Sequence, residues 1–304
     1  MFFASREPHS PSRRTFLRWT AAAALSPAIA RAACPCNDDI NAPQDANAPA
    51  TQPDNLLRVC TDPNNFPFSN RAHAGFEDKI ACLIAGDLGL VLQFDFLPQR
   101  LGFYRTAFKT FNSNIAMAAP AGFDKALITR PYYRSTYVFV HRSDKAAPTS
   151  LDDAALRSMK IGVQLAGSDT PVTHAMARRK LIDNLVGFPV FDETAGKPAE
   201  KIVSAVASGE IDLALAWGPQ VGYFARNAAK PLRVTPITPA VDGKGAAAMP
   251  FAFDICMAVN RADKPLVEKL NKVIAARQKD IDAILDGYAV PRLPVSSAAE
   301  TRKG

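Results

Sequence analysis

A strand pattern, a polar loop and a helix start follow one another in the sequence Leu57-Arg58-Val59-Cys60-Thr61-Asp62-Pro63-Asn64-Asn65-Phe66-Pro67-Phe68-Ser69-Asn70 and Gly75-Phe76-Glu77-Asp78. The two acidic residues after the glycine suit a first helical turn, because the helix dipole favours negative charge there. The pattern predicts a strand over 56–60 and a helix over 76–88. Ligands meet open α/β sheets at the carboxyl ends of strands, so we predict that this loop contacts a ligand or a partner.

Strand and helix patterns alternate along the rest of the chain. Apolar spacing predicts further strands over 91–97, 115–119, 132–141, 160–163, 212–217, 232–237 and 251–260. Helical spacing predicts further helices over 102–111, 171–181, 199–208 and 264–285. This alternation indicates an α/β fold with parallel sheets flanked by helices.

The alternation falls into two halves, which predicts two lobes. We place lobe 1 at residues 56–140 plus 254–292 and lobe 2 at 141–253, each a mostly parallel sheet with helices on its faces. The long strands 132–141 and 251–260 are then the segments that cross between the lobes. A cleft between lobes is a favoured place for a ligand and permits hinge closure.

The first 33 residues have the order of an export signal. Arg13-Arg14 precedes an apolar run over 19–29 and small residues that end at Ala33, as in a twin-arginine signal peptide. A basic amphipathic helix is the alternative. The run is shorter than the roughly 20 residues that a membrane span requires. We predict export to the periplasm by the twin-arginine route, no membrane span, a flexible tether over 34–55 and a disordered tail over 293–304.

The charge of the chain argues against nucleic acid as a partner. The net charge is +7, and residues 1–33 supply +4 of it through five arginines and one glutamate. The remaining +3 is spread without a basic block, so no nucleic-acid surface is predicted.

The five cysteines fit an oxidising compartment. One residue separates Cys34 from Cys36, which disfavours a bond between them, and lipid attachment at Cys34 is an alternative. Cys60 ends the first strand and Cys82 lies on the next helix. Two interpretations stay open for this pair: a disulfide across the βα unit, or two buried free cysteines. Cys256 has no evident partner.

The sequence contains none of the catalytic or metal-binding motifs that we tested. Its four histidines are isolated, and no phosphate-binding loop, dinucleotide fingerprint or nucleophile elbow is present. We therefore predict a non-enzyme with no catalytic residue, no metal and no cofactor. A dehydratase on this scaffold is the remaining enzymatic alternative, without a residue to nominate as its base.

Candidate binding residues lie in loops at strand ends. Ser168 or Asp169 fits either a plain helix cap or a ligand contact. Trp217 fits either hinge packing or stacking on a ligand. The candidates for ligand or partner binding are Asp62, Asn64, Asn65, Phe66, Phe68, Pro120, Gly122, Tyr132, Gln164, Ser168, Thr170 and Trp217.

Four blocks of the sequence resemble the MxaJ/XoxJ proteins, a branch of the type-II periplasmic substrate-binding proteins. The blocks are Arg58–Asn70, Phe96–Phe103, Pro120–Gly122 and Thr129–Phe139. The resemblance implies a two-lobed periplasmic-binding-protein fold. It also implies a periplasmic accessory protein that assists the maturation, activation or assembly of a PQQ-dependent methanol dehydrogenase, which would be its partner.

The sequence departs from the amino-acid receptors of that superfamily. Gly122 stands where those receptors carry the arginine that holds the ligand's carboxylate, and Trp217 stands where they carry the aspartate for its amino group. An amino-acid ligand is therefore not expected. The alternative function is a solute-binding protein of an ABC transporter, with a neutral or aromatic small molecule in the cleft. The resemblance also places a cysteine where this chain has Asn114, which removes one expected partner of Cys60.

Overall fold

Two groups of strands joined edge to edge form the centre of the protein. The computed structural model describes residues 55–165, 170–190, 197–245 and 248–296. Their strands are β1 Leu56–Thr61, β2 Asn64–Asn65, β3 Ser69–Asn70, β4 Val91–Phe96, β5 Ile115–Pro120, β6 Leu127–Ile128, β7 Tyr133–Arg142, β8 Ile161–Leu165, β9 Leu185–Pro189, β10 Leu213–Trp217, β11 Leu232–Pro236, β12 Val241–Asp242, β13 Met249–Pro250 and β14 Ala252–Val259. Their α-helices are α1 Phe76–Leu88, α2 Phe103–Lys109, α3 Pro171–Arg178, α4 Pro198–Ser208, α5 Gly218–Arg226, α6 Lys264–Ala276 and α7 Gln278–Gly287.

The first half of the sheet is built on three parallel strands in the order β4-β1-β5. Side chains alternate across β1, so Leu57 and Val59 join the core beneath α1 while Cys60 faces the cluster beneath α2. Both faces of this half are therefore covered by helices, as the alternating sequence pattern predicted.

The second half is built on the parallel strands β10, β8 and β9. One face packs on α4 and α5, and the other covers a separate core that includes Phe139, Leu156 and Met176. Strand β9 and helix α5 were not predicted from the sequence. Strand β9 has only five residues, and α5 begins with Gly218-Pro219, a pair that is typical of a turn.

The strands β7 and β14 join the two halves. Along Tyr133–Thr136, β7 pairs antiparallel with β14, and from Tyr137 onward it pairs with β10 and β11. Strand β14 in turn pairs with β5 beyond Ile255. Each strand therefore passes from one half of the sheet to the other, as the sequence predicted for the two long strands.

The structure differs from the predicted C-terminal elements in two places. The helix predicted over 264–285 is two helices, α6 and α7, with a break at Arg277 (φ −104°, ψ 15°). The tail predicted to be disordered from residue 293 instead begins with an ordered segment, because Leu293 N donates to Arg134 O and Ser296 N donates to Asp254 Oδ1. The predictions for residues 1–54, which include the signal, nearly all of the tether, Cys34 and Cys36, lie outside the described residues, as do those for Ser168 and 297–304.

Candidate functional site

A cavity of about 380 Å³ lies where the parallel strands of both halves end. The last residues of β5, β8 and β10 and the segment that follows β1 contribute to its lining, and the facing sides of β7 and β14 complete its wall. Its lining residues are Asn65, Phe68, Gln99, Ala118, Pro120, Tyr133, Tyr137, Gln164, Thr170, Val190, Trp217, Gln220, Phe253 and Ile255. The volume suits a small molecule.

Six of the candidate residues from the sequence line this cavity: Asn65, Phe68, Pro120, Gln164, Thr170 and Trp217. Thr170 has two roles, because it also caps α3 through an Oγ1 that accepts from Thr173 N at 3.2 Å. The cap predicted at Ser168 or Asp169 is therefore at Thr170. Trp217 packs against Tyr137 of β7 and Phe253 of β14, with ring centroids 5.3 and 6.0 Å from its own. It therefore contacts both strands that join the two halves and also lies on the cavity wall.

Other candidates from the first loop have structural positions instead. Asp62 is buried, and its carboxylate accepts from Asn64 N at 2.8 Å and Gln99 N at 2.7 Å. These bonds fix the start of the loop, while Asn64 lies in the short β2–β3 hairpin, opposite Asn70. Neither lines the cavity.

Phe66 and Phe68 point to different places although only Pro67 separates them. Phe66 packs edge-on against Tyr223, Phe224 and Tyr288, with ring centroids 4.9 to 6.2 Å apart. Phe68 contacts Phe76 of α1 and lines the cavity. The loop is therefore anchored by Phe66 and presents Phe68 and Asn65 to the cavity.

Two further candidates do not reach the cavity. Tyr132 is fully buried in the larger hydrophobic core. Gly122 lies in an exposed turn after β5 with φ +85°, a conformation that favours glycine. Its neighbour Pro120 lines the cavity in its place.

Two residues of the cavity lining each have a buried side-chain atom without a partner. Gln164 Oε1 accepts from Trp217 N at 2.7 Å, which leaves the Gln164 amide nitrogen buried and unpaired. The hydroxyl of Tyr133, on a side of β7 that lines the cavity, is also buried and unpaired. Buried polar groups in proteins nearly always have a partner, and a ligand in the cavity is one way to supply it. Thr61, Glu77, Asp78 and Tyr132 also have an unpaired buried oxygen and lie outside the described lining, so these atoms are compatible with a ligand and do not by themselves indicate one.

The part of the cavity lining that the structure describes is uncharged. None of its described lining residues carries a formal charge at neutral pH. Burial raises the pKa of Tyr137 to about 12. Burial, together with the nearby Glu77 and Tyr104, raises the pKa of Tyr133 well above its usual value. The polar groups on the wall are amides and hydroxyls, which suit an uncharged ligand with hydrogen-bonding edges.

Sequence reasoning missed eight lining residues: Gln99, Ala118, Tyr133, Tyr137, Val190, Gln220, Phe253 and Ile255. Four of them carry a signal that could have been used. Tyr133 and Tyr137 share one face of β7, and Phe253 and Ile255 share one face of β14, because side chains alternate along a strand. These residues of the two predicted crossover strands were therefore candidates.

The carboxyl groups that begin α1 are buried behind the cavity. Asp78 Oδ2 accepts from Gly75 N at 3.0 Å and Asn70 N at 3.1 Å, which ties the loop to the helix. Burial raises the pKa of Asp78 to about 7, although these bonds oppose the shift. Burial, reinforced by Asp78 and Asp62, raises the pKa of Glu77 well above its usual value.

Both interpretations of the Cys60 and Cys82 pair are wrong, because Cys60 is a free thiol and Cys82 is disulfide-bonded. Cys60 and Cys256 are both buried free thiols. Cys60 does not pair with Cys82 because of the alternation along β1: Cys60 faces α2, on the opposite side of the sheet from the helix that carries Cys82. Burial raises the pKa of each free thiol to about 12, with smaller contributions from Asp95 at Cys60 and Asp254 at Cys256.

Comparisons with known proteins extend over most of the chain. The protein MoxJ of Methylorubrum extorquens is 31% identical over 301 residues, which cover 94% of this chain and 98% of that protein. The MoxJ of Paracoccus denitrificans is 26% identical over 258 residues, 82% of this chain and 93% of that protein. The crystal structure of the periplasmic binding protein XoxJ from Methylobacterium extorquens AM1 matches with a TM-score of 0.65 and 31% identity, over 79% of this chain and 100% of that one. The chain matches no family model.

The two-lobed α/β sheet and its inter-lobe cavity define a periplasmic-binding-protein fold of type II, as predicted. Within that class, the chain belongs to the MoxJ/XoxJ family. The resemblance seen in the sequence is thereby confirmed. In the described part of the chain, no helix combines the length and the apolar character that crossing a membrane requires.

Proposed function

We propose that this protein is a non-catalytic periplasmic accessory protein of a PQQ-dependent methanol dehydrogenase, exported by the twin-arginine route. It assists the maturation, activation or assembly of that enzyme through a binding-protein scaffold. The observation that carries the proposal is the identity with MoxJ along nearly the whole chain, together with the match to XoxJ.

The chemistry of the cavity supports a departure from amino-acid transport. Trp217, where amino-acid receptors carry an aspartate, lines the cavity wall, and Gly122, where they carry an arginine, lies outside it. A zwitterion requires both charges to be neutralised by fixed partners when it leaves water. The neutral wall offers neither partner among its described residues.

A co-purification of the mature protein with the dehydrogenase tests the accessory role. We expect the two proteins to associate, and we expect a strain that lacks the gene to accumulate dehydrogenase with less bound PQQ. Re-expression of the gene should restore cofactor content, which controls for effects on neighbouring genes. Normal holoenzyme in the deletion strain, with no association in the co-purification, would contradict the proposal.

The cavity also favours a second function, that of a solute-binding protein for a neutral or aromatic small molecule. The unpaired Gln164 amide nitrogen and Tyr133 hydroxyl are the observations that favour it. Native mass spectrometry of gently purified protein is the test. A stoichiometric adduct that is lost on denaturation supports ligand binding, and ligand-free protein throughout the purification contradicts it.

A further inference from the structure

A second pocket, of about 610 Å³, lies on lobe 1 beside α2. Three separate segments line it: Gln99–Lys109, the turn that holds Phe123 and Lys125, and the pair Asn260–Arg261. Gln99 borders this pocket as well as the inter-lobe cavity. None of the other lining residues is shared, so the two pockets are distinct.

The floor of the pocket is aromatic. The rings of Tyr104 and Phe123 lie 4.4 Å apart between centroids, and Phe103 and Phe108 flank Tyr104 at 5.2 and 6.4 Å. Such a floor offers a large apolar surface to a flat ring, since aromatic pairs favour tilted and offset arrangements.

The segments that form the pocket are fixed by hydrogen bonds to backbone oxygens. Asn260 Nδ2 donates to Phe108 O at 3.3 Å and to Ser113 O at 3.2 Å. Arg261 Nη2 donates to Asp124 O at 2.6 Å, which joins two of the three segments. The floor is therefore a built feature of lobe 1.

The rim of the pocket is cationic. Its exposed charged residues are Arg100, Arg105, Lys109, Lys125 and Arg261, and no acidic residue lines the pocket in the described part of the chain. The nearest acid in sequence, Asp124, has a highly exposed carboxylate that pairs with Lys125 at 3.2 Å. Five cations on a protein whose charge is otherwise nearly balanced form a local positive field that attracts anions.

One large apolar side chain stands uncovered at this rim. Leu101, between Arg100 and the floor residue Phe103, is fully exposed. An aromatic anion would cover the leucine and the floor with its ring while its carboxylates meet the cations.

We propose that this pocket is a binding site for flat aromatic compounds that carry two or more carboxylates. The ring stacks on Tyr104 and Phe123, and the carboxylates pair with Arg105, Lys109 and Arg261. The inference does not depend on the proposed function, because it rests only on the chemistry of lobe 1.

Isothermal titration with naphthalene-2,6-dicarboxylate tests the site. Adipate controls for the charge without the ring, and naphthalene-2,6-dimethanol for the ring without the charge. We expect the aromatic dicarboxylate to bind at least tenfold more tightly than either control, and its affinity to fall as salt is raised from 20 to 200 mM. The absence of saturable binding would overturn the proposal.

The double variant Arg105→Gln/Lys109→Gln locates the binding. We expect it to weaken affinity for the aromatic dicarboxylate at least tenfold with unchanged thermal unfolding, since both side chains are exposed on α2. The matched variant Lys269→Gln/Lys272→Gln removes the same charge from the exposed face of α6 and should bind normally. Equal losses in both variants would show non-specific attraction and overturn the proposal. A second result would also overturn the proposal. In it, neither dicarboxylate binds, and Arg105→Gln/Lys109→Gln instead loses association with a partner protein.

Discussion

At the scale of single residues, Tyr133 allows ligand binding to be separated from folding. Its buried hydroxyl has no hydrogen-bond partner, so Tyr133→Phe removes a desolvated polar group and leaves the ring in place. We expect the free energy of unfolding to stay equal or rise by up to about 1 kcal/mol. We expect occupancy of the small-molecule adduct, measured by native mass spectrometry, to fall about tenfold.

Tyr132→Phe is the matched control for that change. Tyr132 is the preceding residue and is fully buried, but it lies outside the cavity lining. This variant should keep its adduct. A loss of more than about 1 kcal/mol in Tyr133→Phe, measured by urea unfolding, would show that the hydroxyl has a structural role and would contradict the prediction.

At the scale of elements, the close contact between α1 and the first loop depends on Gly75. Phe76 N donates to Pro67 O and Glu77 N to Phe68 O, each at 2.9 Å. A Cβ on Gly75 would lie 2.0 Å from Phe68 O, and backbone atoms cannot move aside cheaply. We expect Gly75→Ala to lower the free energy of unfolding by about 3 kcal/mol in urea unfolding, and to displace Phe68 from the cavity.

Gly86→Ala on the same helix provides the comparison. A Cβ at Gly86 meets nothing within 4 Å, and alanine is the better helix former. We expect a gain of about 0.5 to 1 kcal/mol. If Gly75→Ala were as harmless as Gly86→Ala, the close approach of loop and helix would not be required for stability.

The first turn of α1 also predicts how stability depends on pH. The folded-state pKa values of Asp78, about 7, and of Glu77 are raised, mainly by burial. The native protein then holds protons that the unfolded chain has released, so the stability that these two groups contribute is greatest below about pH 4 and declines as pH rises towards 7 and beyond. We expect the free energy of unfolding to fall by about 1 to 3 kcal/mol between about pH 5 and pH 8.

The double variant Glu77→Gln/Asp78→Asn should flatten this dependence. The side-chain amide oxygen that this change places at position 78 can still accept from Gly75 N and Asn70 N, so the cap is kept. Asp183→Asn/Glu200→Gln changes the same residue types at exposed positions of lobe 2 and should keep the slope of the wild type. The measurement is urea unfolding of each variant across this pH range. If the free energy of unfolding of Glu77→Gln/Asp78→Asn depended on pH as steeply as that of the wild type, the dependence would not come from these two carboxyl groups.

The same elements show what the sequence could and could not predict. Helix α1 has the predicted bounds, residues 76–88. They follow from local signals: a glycine and two acidic residues at the start of the helix, and apolar residues at helical spacing along it. The break at Arg277 was missed because the apolar period continues across it into α7. The break depends on packing against the rest of the protein, which the local sequence pattern does not reveal.

The site was predicted only in part for a related reason. A position at or just after the end of a strand correctly predicted that Asn65, Phe68 and Gln164 line the cavity, because the parallel topology brings those strand ends together. It could not separate Phe68 from Phe66, since that choice depends on aromatic residues of α5, which lies far along the chain from this loop. The faces of β7 and β14 that line the cavity are likewise fixed by how the lobes meet.

At the scale of the whole molecule, the C-terminal segment joins the two strands that connect the lobes. Leu293 N donates to Arg134 O of β7 at 3.0 Å, and Ser296 N donates to Asp254 Oδ1 of β14 at 3.1 Å. Arg134 Nη1 also bonds Asp254 Oδ2, at 3.0 Å, and the Ser296 hydroxyl. We expect this segment to restrict the movement of β7 and β14 relative to each other.

A pair of truncations tests this role. Removal of residues 293–304 deletes the bonds to both strands, each worth about 1 kcal/mol, so we expect stability to fall by about 1 to 3 kcal/mol. Removal of 297–304 alone leaves those bonds in place and should preserve stability. Hydrogen exchange at Ser135 and Thr136 should accelerate only in the longer truncation, because those residues lie where β7 changes partners. Equal exchange in the two truncated proteins would mean that the β7–β14 pairing holds the hinge without the C-terminal segment.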